Sequence, residues 1–167
     1  MSGEESDSKD LGRQAYERAY ELELKVGCCP QCVLTAVDET VGGVSEDTIK
    51  ASHGLSGGGA LTGQGACGAL TGGLLALSTR KGRDADKLDR GRGMANFNVG
   101  KDLTRRFEEE FGGITCEDLQ QQFSGQTWDL WKPEEYKGFS DARDDRCARA
   151  TATVTQWVVE MIDGKKG

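Results

Sequence analysis

Six cysteines are the residues of this chain best suited to chemistry, and three of them, Cys28, Cys29 and Cys32, stand close together. The segment CPQC from Cys29 to Cys32 has the C-x-x-C spacing of dithiol oxidoreductases and of half a metal site. Residues three or four apart share one face of a helix, so the thiol of Cys32 can reach both neighbours. No predicted strand flanks the motif, which disfavours a thioredoxin-like unit. Val33 stands where a haem-attachment motif requires histidine.

The other three cysteines, Cys67, Cys116 and Cys147, lie far apart in the sequence. Cys67 opens a predicted helix whose near face carries Gly68 and Gly72, so another helix or a cofactor can approach that face closely. Cys116 falls in the first turn of its predicted helix, where the helix dipole favours a thiolate. Cys147 falls on the apolar stripe of the last predicted helix, where a cysteine ordinarily behaves as a small buried hydrophobe.

Two other features are weaker candidates for chemistry. The glycine-rich run GGGALTGQG before Cys67 lacks the G-K-[ST] ending of a phosphate-binding loop and has no strand before it, so nucleotide binding is disfavoured. His53, the one histidine, precedes this run and is interpreted as a loop residue.

Hydrophobic periodicity predicts helices throughout the chain and no strand. The predicted fold class is all-α: a compact bundle of about five to seven helices with a glycine-rich loop. Residues 9–165 are predicted to form a single domain after a disordered terminus at residues 1–8, and 124–139 a packed surface segment. The predicted helices are 10–26, 30–41, a short helix capped by Ser45, 67–81, 98–111, a short helix from Cys116 with a Thr115–Asp118 capping box, and 140–162.

Charge and composition restrict the partners and the location. The 167 residues carry a formal net charge of −7 at pH 7, and nucleic acid or an anionic membrane would require a basic face, so neither is expected. The N-terminus MSGEESDSKD lacks a signal-peptide pattern, so a cytoplasmic location is expected. Thiols stay reduced there, and clustered cysteines then indicate metal binding or redox chemistry. A homodimer would suit an acidic helical protein with glycine-rich faces.

Four segments occur in order over residues 30–160: QCVLTAV, ACGALTGG, FEEEFGGITCEDL and RCARATATV. They resemble the C_GCAxxG_C_C family of redox-active proteins, which is defined by four cysteines. The resemblance implies that these four are Cys32, Cys67, Cys116 and Cys147. A similar domain occurs in split-Soret type cytochromes c of anaerobic bacteria, together with haem-binding segments and an iron–sulfur site. This chain has no C-x-x-C-H motif, so no covalent haem is expected.

A cysteine-based redox protein is therefore predicted, with alternatives for its chemistry. In the first, the four cysteines hold an iron–sulfur cluster, most simply [2Fe–2S], and electrons pass to a redox partner. In the second, a metal-free pair such as Cys29–Cys32 or Cys67–Cys116 makes it a thiol–disulfide oxidoreductase or redox sensor. In the third, a structural zinc site made of four cysteines stabilises an interaction module. A fourth interpretation leaves the cysteines as buried residues without a redox role.

Overall fold

The computed structural model describes residues 2–164, which form eight α-helices, two short 3-10 helices and, in place of any strand, one isolated antiparallel bridge. The all-α, single-domain prediction is confirmed. None of the helices in the described part of the chain is long and apolar enough to cross a membrane. The helices are α1 (Ser2–Val26), α2 (Cys29–Val41), α3 (Glu46–Ala51), α4 (Gly68–Lys81), α5 (Met94–Phe111), α6 (Cys116–Ser124), α7 (Pro133–Arg143) and α8 (Arg146–Asp163), with 3-10 turns at Ser52–Leu55 and Ala85–Lys87.

The number of helices differs from prediction because the C-terminal part of the chain is divided differently. The single helix predicted over 140–162 is wrong. The segment 124–139 lies mostly at the surface with Leu130 and Phe139 buried, and its second half forms part of a helix that was not predicted. Helix α7 begins at Pro133, which suits a first helical turn because proline needs no hydrogen-bond acceptor there. The chain then breaks at Asp144, whose φ of 52° is incompatible with a continuing helix. Helix α8 therefore starts afresh, and Cys147 lies in its first turn.

Helix α1 also differs from prediction. It extends back to Ser2, so it covers most of the segment predicted to be disordered. Met1 and the predicted domain end at residue 165 lie outside the described residues, and disorder in solution stays a prediction. The apolar stripe that three- and four-residue spacing predicts for this helix is shifted as well, since its last member, Val26, is exposed; the predicted members are Leu11, Ala15, Ala19, Leu22 and Val26. The buried stripe has small residues and one carboxyl, at four- and three-residue spacing: Ser8, Gly12, Ala15, Ala19 and Glu23.

The main core lies between α2, α4, α5 and α8, and α1 packs along α8. Burial of each large apolar side chain in this core stabilises the fold by roughly 1.5–3 kcal/mol. The fully buried members come from all four helices: Val33, Leu34, Val37, Leu70, Leu103, Phe107, Val154 and Val158.

Two glycines of α4 determine how α2 sits against it. A Cβ atom at Gly72 would lie 2.9 Å from the Cα atom of Pro30, and one at Gly68 would lie 2.7 Å from its Cδ atom. The close approach predicted for this face is therefore made by another helix, the first turn of α2. A side chain at either position would push that turn, and with it Cys29, away from α4.

We expect Gly72→Ala to lower the free energy of unfolding by about 1–3 kcal/mol, because the added methyl group meets backbone that cannot rotate away. Urea denaturation measures the difference. Gly54→Ala is the matched control, since a Cβ atom there meets nothing within 4 Å, and its effect should stay within about 0.5 kcal/mol. Equal losses in the two variants would contradict this account of the α2–α4 contact.

Candidate functional site

A short backbone bridge places Cys67 beside Cys116. The N–H of Cys67 donates to the carbonyl of Ile114 over 2.7 Å, and the N–H of Cys116 donates to the carbonyl of Gly65 over 3.0 Å. Between them lies the isolated bridge of Ala66 with Thr115. Two cysteines that are distant in the sequence are thereby fixed at the starts of neighbouring helices, α4 and α6.

The glycine-rich loop makes this bridge possible. Its backbone folds on itself through a series of positive φ angles, including 76° at Gly58, which other residue types adopt at a cost. The N–H of Gly65 donates to the carbonyl of Gly58 over 2.9 Å, and a Cβ atom on Gly65 would lie only 2.4 Å from that oxygen. The loop therefore works as a compact support for Cys67 and Cys116.

The start of α6 has the predicted capping box. The Thr115 hydroxyl accepts from the N–H of Asp118, and the Asp118 carboxylate accepts from the N–H of Thr115. Gln120, one turn further on and fully buried, donates from its amide to the Sγ atom of Cys116 over 3.5 Å. Its amide oxygen accepts from the N–H of Trp128 over 2.7 Å. The thiol of Cys116 thus accepts from an amide whose orientation is fixed by the backbone of Trp128.

Cys29 reaches the same region from α2. A Cβ atom at Gly68 would lie 3.5 Å from the Sγ atom of Cys29, so this thiol lies directly over the first turn of α4. It is close enough to interact electrostatically with the three remaining thiols of Cys67, Cys116 and Cys147. Four cysteines from four separate segments therefore converge in the interior.

Cys32 and Cys28 interact mainly with other partners. The thiol of Cys32 faces the carboxyl group of Glu23 and interacts with Cys28. Cys28 is hydrogen-bonded to the side chain of Ser56. Electrostatic interactions link the thiols of Cys29, Cys67, Cys116 and Cys147, and the ligand set Cys32, Cys67, Cys116 and Cys147 that the resemblance implies stays a prediction.

All four converging thiols lie at helix N-termini, where unpaired N–H groups and the helix dipole favour negative charge. The first turn of α8 was hidden from the sequence prediction by the unrecognised break at Asp144. The positions are Cys29 as first residue of α2, Cys67 as N-cap of α4, Cys116 as first residue of α6 and Cys147 as second residue of α8.

Burial opposes the effect of the helix ends. Desolvation raises the pKa of all six thiols above their ordinary value of 9.0. The pKa of Cys29 lies well above that value, because Glu23 and the other cysteines add to the effect of burial. The pKa of Cys147 rises only to about 11, because the guanidinium of Arg143 beside it opposes the desolvation. The thiols are therefore protonated at neutral pH unless a cation displaces the protons.

Arg143 and Glu23 are the charged groups nearest the thiols. The guanidinium of Arg143 donates to the thiol of Cys147, interacts with Cys116 and lies 5.2 Å from the ring centroid of Phe139. Glu23 is only 3% exposed, and within the described chain neither carboxyl oxygen has a hydrogen bond of normal geometry. Desolvation raises the pKa of this carboxyl group.

Sequence reasoning missed Glu23, Arg143 and Gln120. A signal for Glu23 exists, since it continues the small-residue stripe of α1 four positions after Ala19, where a solvated carboxyl would not be placed. Arg143 and Gln120 leave no comparable signal, because their roles depend on the break before α8 and on the capping box of α6. His53 is exposed, but it lies in the 3-10 helix Ser52–Leu55 and not in a loop as interpreted from the sequence.

The arrangement suits some metal groups better than others. In the part of the chain that the structure describes, no three histidine, cysteine or carboxylate side chains are placed to share a single metal ion. This gives no support to a mononuclear zinc site. The donor set nevertheless fits an iron–sulfur cluster chemically, since such clusters take four thiolates. Cys67 and Cys116 are already adjacent through the backbone bridge, and Cys29 and Cys147 approach from the other helices.

Comparison with known proteins identifies one family. The family model described as "Putative redox-active protein (C_GCAxxG_C_C)" matches residues 27–161, which is most of the chain and includes every cysteine discussed above. Neither the curated proteins nor the solved structures contain a significant match.

The buried thiols predict how the stability of the iron-free, reduced protein depends on pH. A pKa raised on folding stabilises the native state below the ordinary value of 9.0, and this contribution is lost as pH rises through the folded-state pKa. Between these two pKa values, we expect each such thiol to lower the free energy of unfolding by up to ~1.4 kcal/mol per pH unit. Urea denaturation of the wild type and of Cys67→Ala across this range isolates one thiol. Identical slopes in the two proteins would contradict a protonated, buried Cys67.

Proposed function

Since the chain belongs to the C_GCAxxG_C_C family of redox-active cysteine proteins, we propose that it is an electron-transfer protein in which Cys29, Cys67, Cys116 and Cys147 hold an iron–sulfur cluster, most simply [2Fe–2S]. The observation that supports this proposal is the convergence of these four thiols at the N-terminal ends of four helices. A one-electron couple is the chemistry that such a cluster supplies when bound.

In this proposal Cys29 takes the position that the sequence resemblance gave to Cys32. The thiol of Cys29 lies over α4 and interacts with the other three, and the thiol of Cys32, three positions further along α2, interacts with Glu23 and Cys28. The contact of Cys29 with the first turn of α4 is what favours it over Cys32 as the fourth ligand.

The surroundings favour negative charge at the four thiols once they are deprotonated. The backbone N–H groups of Ala69 and Leu70 at the start of α4 lie against the sulfur of Cys67. The guanidinium of Arg143 adds a full positive charge near Cys147 and Cys116. Gln120 donates a hydrogen bond to the Sγ atom of Cys116. Charge and hydrogen bonds at the sulfur atoms are the features by which a protein adjusts the reduction potential of such a site.

A second candidate function is metal-free thiol–disulfide exchange between Cys67 and Cys116, which the backbone bridge holds side by side. The raised pKa values count against it, because exchange is initiated by a thiolate and desolvation leaves little thiolate at neutral pH. Coordination by a metal removes this obstacle, since a bound cation displaces the thiol proton.

Iron and acid-labile sulfide, assayed on protein purified without oxygen, test the cluster directly. We expect both to be present in equal amounts, and Cys29→Ser to lower the iron per chain by at least about tenfold while Cys32→Ser retains it. The two variants are a matched pair, because both cysteines face Glu23 and belong to the same helix.

Three results would overturn parts of this proposal. A colourless protein that takes up neither iron nor sulfide on anaerobic reconstitution excludes the cluster. Loss of iron from Cys32→Ser with retention in Cys29→Ser restores Cys32 as the ligand. A Cys67–Cys116 disulfide that forms reversibly in iron-free protein, detected by mass spectrometry, favours the exchange function.

Arg143 is expected to raise the reduction potential. Removal of its charge in Arg143→Met should lower the potential by roughly 60 mV, which is a tenfold change in a one-electron equilibrium constant. Arg143→Lys keeps the charge and should restore part of the difference. Arg149→Met, which removes an exposed guanidinium paired with Asp145, is the control. Potentiometric titration measures all four proteins, and an unchanged potential in Arg143→Met would show that this guanidinium has only a structural role.

A further inference from the structure

A cavity of about 270 Å³ opens beside the cysteine cluster, between the end of α1 and the junction of α7 with α8. We propose that it binds a small oxyanion that retains one O–H group, such as hydrogen phosphate, hydrogencarbonate or hydrogensulfite. The proposal depends on the lining of the cavity and is independent of what the four thiols hold.

The unpaired carboxyl group of Glu23 is the first observation that indicates a ligand. Glu23 lines the cavity and is 3% exposed. The thiols of Cys29 and Cys32 and the guanidinium of Arg143 lie near its carboxyl group, but within the described residues neither oxygen has a hydrogen bond of normal geometry. An unpaired buried carboxyl group is strongly unfavourable, so such groups are normally satisfied by a partner. A ligand with an O–H group would supply that partner.

The second observation is that a guanidinium and the N-terminus of a helix both face the same cavity, opposite the carboxyl group of Glu23. Arg143 lines it, and its guanidinium has no carboxylate within salt-bridge distance in the described chain. Ala148 lines it too and lies in the first turn of α8, whose N-cap residue Asp145 makes no side-chain capping bond. Uncapped N–H groups at the start of an eighteen-residue helix bind anions, and a guanidinium binds oxyanions through parallel hydrogen bonds.

The ligand class follows from these two observations together. Charged oxygens suit Arg143 and the start of α8, while an O–H group suits Glu23. Tyr136 and Ser140 add hydroxyl groups on the α7 side. Lys25 and Asp144, also at the cavity, are exposed and of opposite sign, so solvent screens their combined effect. A halide lacks the O–H group and should therefore bind weakly. Sulfate at neutral pH also lacks an O–H group but is close to hydrogen phosphate in size, so a comparison of the two ions isolates the contribution of that group.

Isothermal titration calorimetry of the full chain, purified without oxygen, tests the proposal with inorganic phosphate as the probe. We expect one site per chain that saturates below about 10 mM phosphate and binds sulfate at least about tenfold more weakly. Glu23→Gln should remove this preference, because its amide group can donate to either ion. Arg143→Met should weaken the binding of phosphate at least about tenfold. Arg105→Met, which removes an exposed guanidinium paired with Glu109, should leave phosphate binding unchanged.

A filling substitution separates this proposal from the proposed function. Ser140→Leu places an apolar side chain in the cavity at a residue with no shown contact to a thiol, so phosphate binding should be lost while iron and sulfide stay unchanged. The proposal is overturned if phosphate, hydrogencarbonate and hydrogensulfite all fail to saturate, or if Ser140→Leu binds phosphate like the wild type. Phosphate binding by a protein that never takes up iron would refute the cluster alone.

Discussion

The arrangement around the four thiols depends on one electrostatic conflict. Four helix N-termini favour negative charge at Cys29, Cys67, Cys116 and Cys147, while burial of the same side chains disfavours it. Burial prevails when the thiols are alone, since the pKa of every cysteine is raised. A bound cation changes the balance, because it displaces the thiol protons and its attraction to the thiolates compensates for their desolvation. The helix ends and Arg143 then stabilise the charge that remains on the sulfur atoms. The site is therefore suited to thiolates that a metal group holds rather than to free nucleophilic thiolates.

This convergence requires close contacts that only particular residues allow. Helix α2 can bring Cys29 to the start of α4 because Gly68 and Gly72 present bare backbone to Pro30. The glycine-rich loop can hold Cys67 beside Cys116 because its turns use positive φ angles and because Gly65 has no side chain. The glycines are thus needed to position the thiols. This requirement explains why a glycine-rich loop lies next to a buried site. Their cost in conformational entropy is offset by the hydrogen bonds that close the loop.

Local sequence rules predicted the parts of the site that depend on neighbouring residues. The all-α fold, the Ser45 cap, the Thr115–Asp118 capping box and the helix starts near Cys67 and Cys116 all follow from patterns within one turn. The remaining features depend on contacts between distant segments. Which thiol of the C-x-x-C segment faces the group is decided by how α2 lies on α4, and a spacing of three residues leaves both Cys29 and Cys32 as candidates. The role of Cys147 depended on a break at Asp144, which a continuous apolar stripe concealed.

Glu23 and Arg143 connect the cysteine cluster to the neighbouring cavity. Both side chains interact with the thiols, and both line the space proposed for an oxyanion. An anion bound there would bring negative charge close to the four sulfur atoms and would stabilise the more oxidised, less negative state of a redox group. By thermodynamic linkage, reduction would then weaken the binding of that anion by the same factor. The half-buried guanidinium of Arg143 would then interact with both the bound anion and the sulfur atoms. Competition between these two negative charges is the physical route by which the cavity would influence electron transfer.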